Sequence, residues 1–136
     1  LKSAIKIASR PIVLAGYGIR QSNTVKEFVG FIEKYQIPYV RTYGAIDYTA
    51  DNHPLNIGAV GIKGSRMGNF AMQNADLLLV LGSSLNGSVI GYDPKQFSPK
   101  SYKIAVDADL DELNKDIVNL DLKIHTTLPK FFKEML

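Results

Sequence analysis

The residues of this 136-residue chain that could do chemistry sit in a few turns, and they suit holding a ligand better than making or breaking a bond. Gly16-Tyr17-Gly18 follows a short apolar run and leads into a helix. Two such glycines let backbone N–H groups approach a phosphate at a helix start. The dinucleotide fingerprint asks for a third glycine, or alanine, at position 21, where this chain has Gln21. It also asks for an acid after the second strand, where the chain has Arg41. Ordinary NAD binding is therefore not indicated, and a tight strand-to-helix turn explains the same glycines. Gly58, Gly61 and Gly64 precede Ser65-Arg66. Lys63 comes before Gly64, so no P-loop is present, but a glycine-spaced loop feeding a helix N-terminus can hold an anion or simply pack close to a sheet. Asp107 and Asp109 end an apolar run. Carboxylates there can accept from ribose hydroxyls or cap the next turn. Capping is the expectation for Asp109, and Asp107 stays open.

Other chemistries are excluded or weak. Gly82-Ser83-Ser84-Leu85-Asn86 does not have the G-x-S-x-G spacing of a nucleophile elbow. His53 and His125 lie far apart and read as surface or capping residues. Asp47, Asp51 and His53 resemble a ligand set, but turn chemistry in a polar loop accounts for them. No catalytic residue and no metal site are expected. The absence of cysteine removes thiol catalysis and cysteine-based zinc sites, and with them a sirtuin-like enzyme carrying a four-cysteine zinc module. It also favours a reducing, cytoplasmic compartment. Sixteen Lys and Arg against thirteen Asp and Glu give a net charge of +3, with no dense basic cluster, so neither nucleic acid nor a membrane surface is an expected partner.

These turns need elements to place them. Pro11-Ile12-Val13-Leu14-Ala15, Ile37-Pro38-Tyr39-Val40, Asp76 to Leu81 and Tyr102 to Val106 read as strands, with a last one within 117–124. Val25, Phe28, Val29 and Ile32 fall on one helical stripe, with Ser22, Asn23 or Thr24 as its cap. Met67, Phe70, Ala71 and Asn74 fall on one face of a helix over 65–74. A short turn over 109–115 and a closing helix bearing Leu128, Phe131, Phe132 and Met135 complete the pattern. Residues 43–63 and 82–100 read as loops. Leu1, Ala4, Ile5 and Ala8 already form a stripe, and the chain opens on Leu1, so a piece of a longer protein is the expectation. Strands alternating with helices, and strands apolar on both faces, predict an open, mainly parallel, doubly wound α/β sheet of Rossmann-like type, with helices on both faces and one domain over 1–136.

The stretches RPIVLAGYGIR, IPYVRTYGAID, HPLNIGAVGIKGSRMGNFAMQNADLLLVLGSSL and YKIAVDADLDELNK resemble the central domain of thiamine-diphosphate-dependent enzymes. Acetolactate synthase (acetohydroxyacid synthase) large subunits are the nearest in kind, and the likeness covers nearly the whole chain. The resemblance implies a three-domain parent that decarboxylates a 2-keto acid such as pyruvate and forms a carbon–carbon bond. Its first domain would bind the aminopyrimidine and its third the diphosphate through Mg²⁺, using a G-D-G motif that this chain lacks. The fragment alone is then expected to be an inactive scaffold, whose partners are the other domains of a homodimeric or homotetrameric parent. In flavin-containing members the central domain holds FAD, and in others ADP or nothing. Carried over by position, the contacting loops are Gly16, Tyr17 and Gly18; Thr42; Gly61, Ile62, Lys63 and Gly64; Gly82, Ser83 and Ser84; and Asp107. Flavin-binding relatives typically follow "LG" with alanine, arginine, phenylalanine, two aspartates and arginine. Here Ser83-Ser84-Leu85-Asn86-Gly87-Ser88 stands instead, without the arginines that clamp phosphate. A stand-alone nucleotide-binding module is the alternative.

Overall fold

A computed structural model describes all 136 residues. The chain runs α1 (Lys2–Ile7), β1 (Pro11–Ala15), α2 (Gly18–Gln21), α3 (Val25–Tyr35), β2 (Tyr39–Arg41) and β3 (Asn56–Ala59). It continues through α4 (Arg66–Gln73), β4 (Leu77–Leu81), α5 (Gly87–Ile90), β5 (Tyr102–Asp107), α6 (Leu110–Asn114), β6 (Leu122–His125) and α7 (Leu128–Met135). Single 3₁₀ turns lie at Tyr43–Ala45 and Pro94–Gln96.

The six strands form one sheet in the order β3-β2-β1-β4-β5-β6, and every pairing is parallel. The expected Rossmann-like architecture is therefore present. Strand order reverses between β1 and β4, which opens a crevice at their carboxyl ends. Register aligns the ends that matter: Ala15 pairs with Leu81 and with Arg41, and Leu81 pairs with Val106. The turns that follow these strands consequently emerge at one level.

Alternation along the strands feeds two cores. Val13, Leu79 and Ile104 point to one face, where Ile5 of α1, Phe28 and Phe31 of α3, and Phe132 of α7 close over them. Leu14, Leu78 and Val80 point to the other, under Met72 of α4, Ile90 of α5 and Leu113 of α6. Phe31 packs against Phe131 and Phe132 at ring-centroid distances of 5.8 and 5.9 Å. Each such fully buried side chain contributes about 1.5–3 kcal/mol through removal of apolar surface from water.

Several expectations change in detail. Residues 56–59, read as loop, form edge strand β3; all four are only half-buried and Gly58 has φ +122°, so the apolar signal of a strand is weak there. Ile37 and Pro38 precede β2 rather than belonging to it, and Pro38 still accepts from Val13 N–H at 3.0 Å. The last strand occupies only Leu122–His125. Thr24 stands at the N-cap of α3, but its hydroxyl bonds back to the Ile19 carbonyl at 3.1 Å, so no side chain caps that helix. On α4, Met67 and Phe70 face solvent, while Gly68 and Met72 are buried. The helix approaches the sheet on its glycine: a Cβ at Gly68 would lie 2.3 Å from the Ala59 carbonyl oxygen.

Candidate functional site

At the carboxyl edge of the sheet lies an open cleft of about 1040 Å³. Its floor is the contact between the turns after β1 and β4. A Cβ at Gly16 would come within 2.3 Å of the Gly82 carbonyl oxygen, and one at Gly18 within 2.8 Å of Gly82 Cα. Gly82 itself has φ +57°, a left-handed conformation that favours glycine. Glycines at these positions thus let two backbones touch where the sheet opens.

Of the residues selected from sequence, Tyr17, Gly18, Thr42, Ile62, Lys63, Gly82, Ser83, Ser84 and Asp107 line the cleft. Gly16, Gly61 and Gly64 do not line it; they shape the turns behind the wall. Gly61 has φ +94°, and a Cβ there would strike the Ser88 carbonyl oxygen at 2.2 Å. Sequence reasoning missed the contribution from beyond β6, where Thr127, Leu128 and Pro129 close one side. The signal was the carboxyl end of that strand, whose limits the sequence left loose. It also missed Tyr43 and Asn86, in segments read simply as loop.

Several backbone donors around the two glycine turns have partners within the chain, while those of Tyr17, Lys63, Ser83 and Ser84 have none. Gly18 N–H donates to Gly82 O at 2.9 Å, Ile19 N–H to Gly16 O at 3.3 Å, and Arg20 N–H to the Tyr48 hydroxyl at 3.1 Å. That hydroxyl donates in turn to Gly16 O at 2.9 Å. Burial raises the pKa of Tyr48 against the lowering effect of the Arg20 N–H and charge, so it remains a neutral donor. In the second loop Gly61 N–H donates to Asn69 Oδ1 at 2.8 Å, Ile62 N–H to Ser88 O at 3.0 Å, and Gly64 N–H to Gly61 O at 3.0 Å. Ser65 caps α4 by accepting from Gly68 N–H at 3.0 Å.

The rim carries carboxylates. Asp107 accepts from Asp109 N–H at 2.9 Å, and Asp109 accepts from Asp111 N–H at 2.9 Å, so Asp109 does cap α6. Each retains a second carboxylate oxygen beside the cleft. Glu112 also lines it and pairs with Lys115, whose ammonium donates to Ser84 Oγ at 3.3 Å. Lys63 is the one cationic side chain in the lining.

No three His, Cys, Asp or Glu side chains converge on a metal-ligand geometry. Asp47 pairs with Arg20 and Asp51 with Arg41 at 3.1 Å, so guanidinium groups engage these two carboxylates. His53 Nδ1 accepts from Leu55 N–H at 3.2 Å and Nε2 faces Glu33; His125 Nε2 faces the Ala108 carbonyl at 3.0 Å. Both histidines serve local structure.

Sheet order and cleft together define a Rossmann-like parallel α/β domain with an open crevice at its switch point. Residues 1–135 match the family model described as the thiamine pyrophosphate enzyme, central domain, and the chain belongs to that family. It is similar to the acetolactate synthase large subunit of Lactococcus lactis subsp. lactis (strain IL1403), with 32% identity over all of this chain and 23% of that protein. The probable acetolactate synthase large subunit of Methanococcus aeolicus shows 32% identity over the same shares. Acetolactate synthase isozyme 1 large subunit of Escherichia coli (strain K12) shows 38% identity over 82% of this chain and 19% of that protein. The chain thus spans about a quarter or less of the length of these relatives.

Proposed function

We propose that this chain is the non-catalytic middle domain of a thiamine-diphosphate-dependent, acetolactate synthase-like enzyme, acting as a scaffold and as an adenine-nucleotide site. The parent reaction is decarboxylation of a 2-keto acid such as pyruvate followed by carbon–carbon bond formation. The pyrimidine-binding and diphosphate-binding domains of the parent, a homodimer or homotetramer, supply thiamine diphosphate, Mg²⁺ and the reacting groups. The compartment is cytoplasmic.

The observation that carries the nucleotide reading is the cleft at the switch point, in a chain that matches the central domain over 135 of its residues. Of the two ligands that the resemblance implies, FAD and ADP, the residues fit FAD poorly. FAD places its diphosphate between two bulky halves, where it needs cations or free N–H groups. Here Lys63 is the lone lining cation, and only part of the turn donors, among them Gly18, Gly61 and Ile62 N–H, are bonded within the chain. ADP can leave its phosphates in solvent and present ribose to Asp107, so ADP is the better fit.

The test is a thermal-shift series on the purified chain with ADP, FAD and thiamine diphosphate, alongside a pyruvate decarboxylation assay. ADP should raise the melting temperature, thiamine diphosphate should leave it unchanged, and the chain should turn over no pyruvate. A shift with thiamine diphosphate, or turnover by the chain alone, would overturn the reading. The stand-alone nucleotide-module alternative would gain if a complete native protein of this length bound ADP without any partner domain.

A further inference from the structure

We propose that Asn86 is a site of self-modification: its carboxamide deamidates spontaneously in the folded chain, and the turn around it promotes the reaction. Asn86 is the one asparagine of the chain that is followed by glycine. No ligand takes part, so the reaction is independent of the nucleotide reading above.

Deamidation needs a backbone nitrogen free to attack, an activated carboxamide, and room for a succinimide ring to close. The nitrogen is that of Gly87, the first residue of α5, whose N–H has no hydrogen-bond partner. Room is present because Asn86 and Gly87 are both exposed, and nothing lies within 4 Å of a Cβ built at Gly87. The peptide between them can therefore turn from the Asn86 ψ of 171° towards ring closure. Activation comes from Ser88. Asn86 Oδ1 accepts from Ser88 N–H at 3.1 Å and from the Ser88 hydroxyl at 2.5 Å. Attack at Cγ moves negative charge onto Oδ1, and donors already aimed at that oxygen stabilise the tetrahedral stage as an oxyanion hole does. The leaving nitrogen, Nδ2, is held by no hydrogen bond. The cap itself ties down little, since α5 has only four residues.

In the first step the Gly87 nitrogen gives its proton to hydroxide and bonds to Asn86 Cγ. The Cγ–Nδ2 bond breaks, and Nδ2 leaves with its two hydrogens and one proton from water as ammonia. Water then opens the ring. Opening at Cγ restores the main chain with an aspartate at position 86, which caps α5 as well as asparagine does. Opening at the main-chain carbonyl leaves an isoaspartyl linkage, which runs the backbone through the side chain and loses the cap. Either product sets a new carboxylate in the cleft lining, to which Asn86 contributes.

The experiment is timed incubation of the 136-residue chain in buffer and in urea, at neutral and at mildly alkaline pH. Peptide mapping by mass spectrometry locates the change, and enzymatic methyl labelling counts isoaspartyl groups. Deamidation should concentrate at Asn86 and rise with pH, because the attacking nitrogen must lose its proton. Its rate in buffer should equal or exceed that in urea. Ser88→Ala removes one donor to Oδ1, and should slow the folded chain about tenfold but the urea-unfolded chain less than about twofold. Gly87→Ala should slow both by about tenfold, because the added methyl group hinders ring closure. A slower rate in buffer than in urea would mean that the cap protects Asn86, and would overturn the proposal. A folded Ser88→Ala chain that deamidates as fast as the parent, or faster, would overturn it as well.

Discussion

The backbone N–H of Gly18 donates to the carbonyl of Gly82 at 2.9 Å, joining the turn after β1 to the turn after β4 without any side chain between them. This bond spans the place where strand order reverses and sets the depth of the cleft. It exists because neither residue carries a Cβ: one at Gly18 would meet Gly82 Cα at 2.8 Å, and one at Gly82 would meet Gly18 Cα at 2.9 Å.

Alanine at Gly16 or Gly82 should therefore destabilise the fold, since the obstructing atoms are backbone and cannot rotate away. A cost of about 1–3 kcal/mol each is expected from overpacking. Gly82→Ala adds left-handed strain of about 1 kcal/mol. Gly87→Ala is the control: nothing lies within 4 Å of its added Cβ, and it should stay within about 0.5 kcal/mol of the parent. Urea denaturation of the three variants checks the order. Equal midpoints for all three would mean that the turns relax freely.

The buried face of α4 gives a second test. Met72→Ala removes a side chain that is 1% exposed and should cost about 2–5 kcal/mol. Met67→Ala and Phe70→Ala truncate side chains that are 62% and 68% exposed and should each cost within about 0.5 kcal/mol. The sequence pattern favours the opposite ranking, so chemical-denaturation midpoints decide between the two faces directly.

That helix shows where reading the sequence succeeds and where it stops. β1, β4 and β5 were legible because a strand buried on both faces must be apolar without interruption, as Leu77-Leu78-Leu79-Val80-Leu81 is. The parallel topology followed from their alternation with helices. The inner face of α4 was not legible, because contact is made through Gly68, and an apolar periodicity assigns no weight to a missing side chain. β3 escaped for a related reason, being a half-buried edge strand with a glycine at positive φ. For the cleft, nine of the twelve residues selected from sequence line it, out of twenty-four lining residues in all. Their donors' internal partners were invisible, since Tyr48 and Asn69 reach them only through the folded chain.

Asp76 should make stability depend on acid. Its two carboxylate oxygens accept from Ser9 N–H at 2.8 Å and Arg10 N–H at 2.9 Å, fixing the entry to β1. Burial alone would raise its pKa, but these two bonds and the Arg10 charge outweigh that and hold it below the ordinary carboxylate value. A depressed folded pKa means that its contribution is complete above the unfolded value, about 3.9, and is lost as pH falls through the folded one. Asp76→Ala should cost about 1–3 kcal/mol at neutral pH, because two N–H groups lose a charged acceptor. The gap between variant and parent should narrow below about pH 4. A gap independent of pH would show that Asp76 acts through shape alone.

Lys103 should behave in the opposite sense. It is 9% exposed on β5, and its ammonium donates only to the Ser101 carbonyl at 3.2 Å. Burial lowers its pKa, opposed by the more distant charge of Asp121, whose carboxylate accepts from the Lys103 backbone N–H at 2.7 Å. A lysine with a depressed folded pKa binds its proton more tightly in the unfolded chain, so it lowers stability at neutral pH. That penalty fades as pH rises through the folded pKa towards the unfolded value of about 10.4. Met at this position keeps a long apolar stem and removes the charge. Lys103→Met should accordingly be as stable as the parent at neutral pH or more stable by up to about 1 kcal/mol, since a buried charge with one neutral partner gives back little of its desolvation cost. Above about pH 10 the parent sheds the proton, and the advantage of the variant should shrink. Paired urea titrations at neutral and alkaline pH measure both differences. A variant clearly less stable than the parent at neutral pH would mean that the bond to Ser101 outweighs the burial of the ammonium.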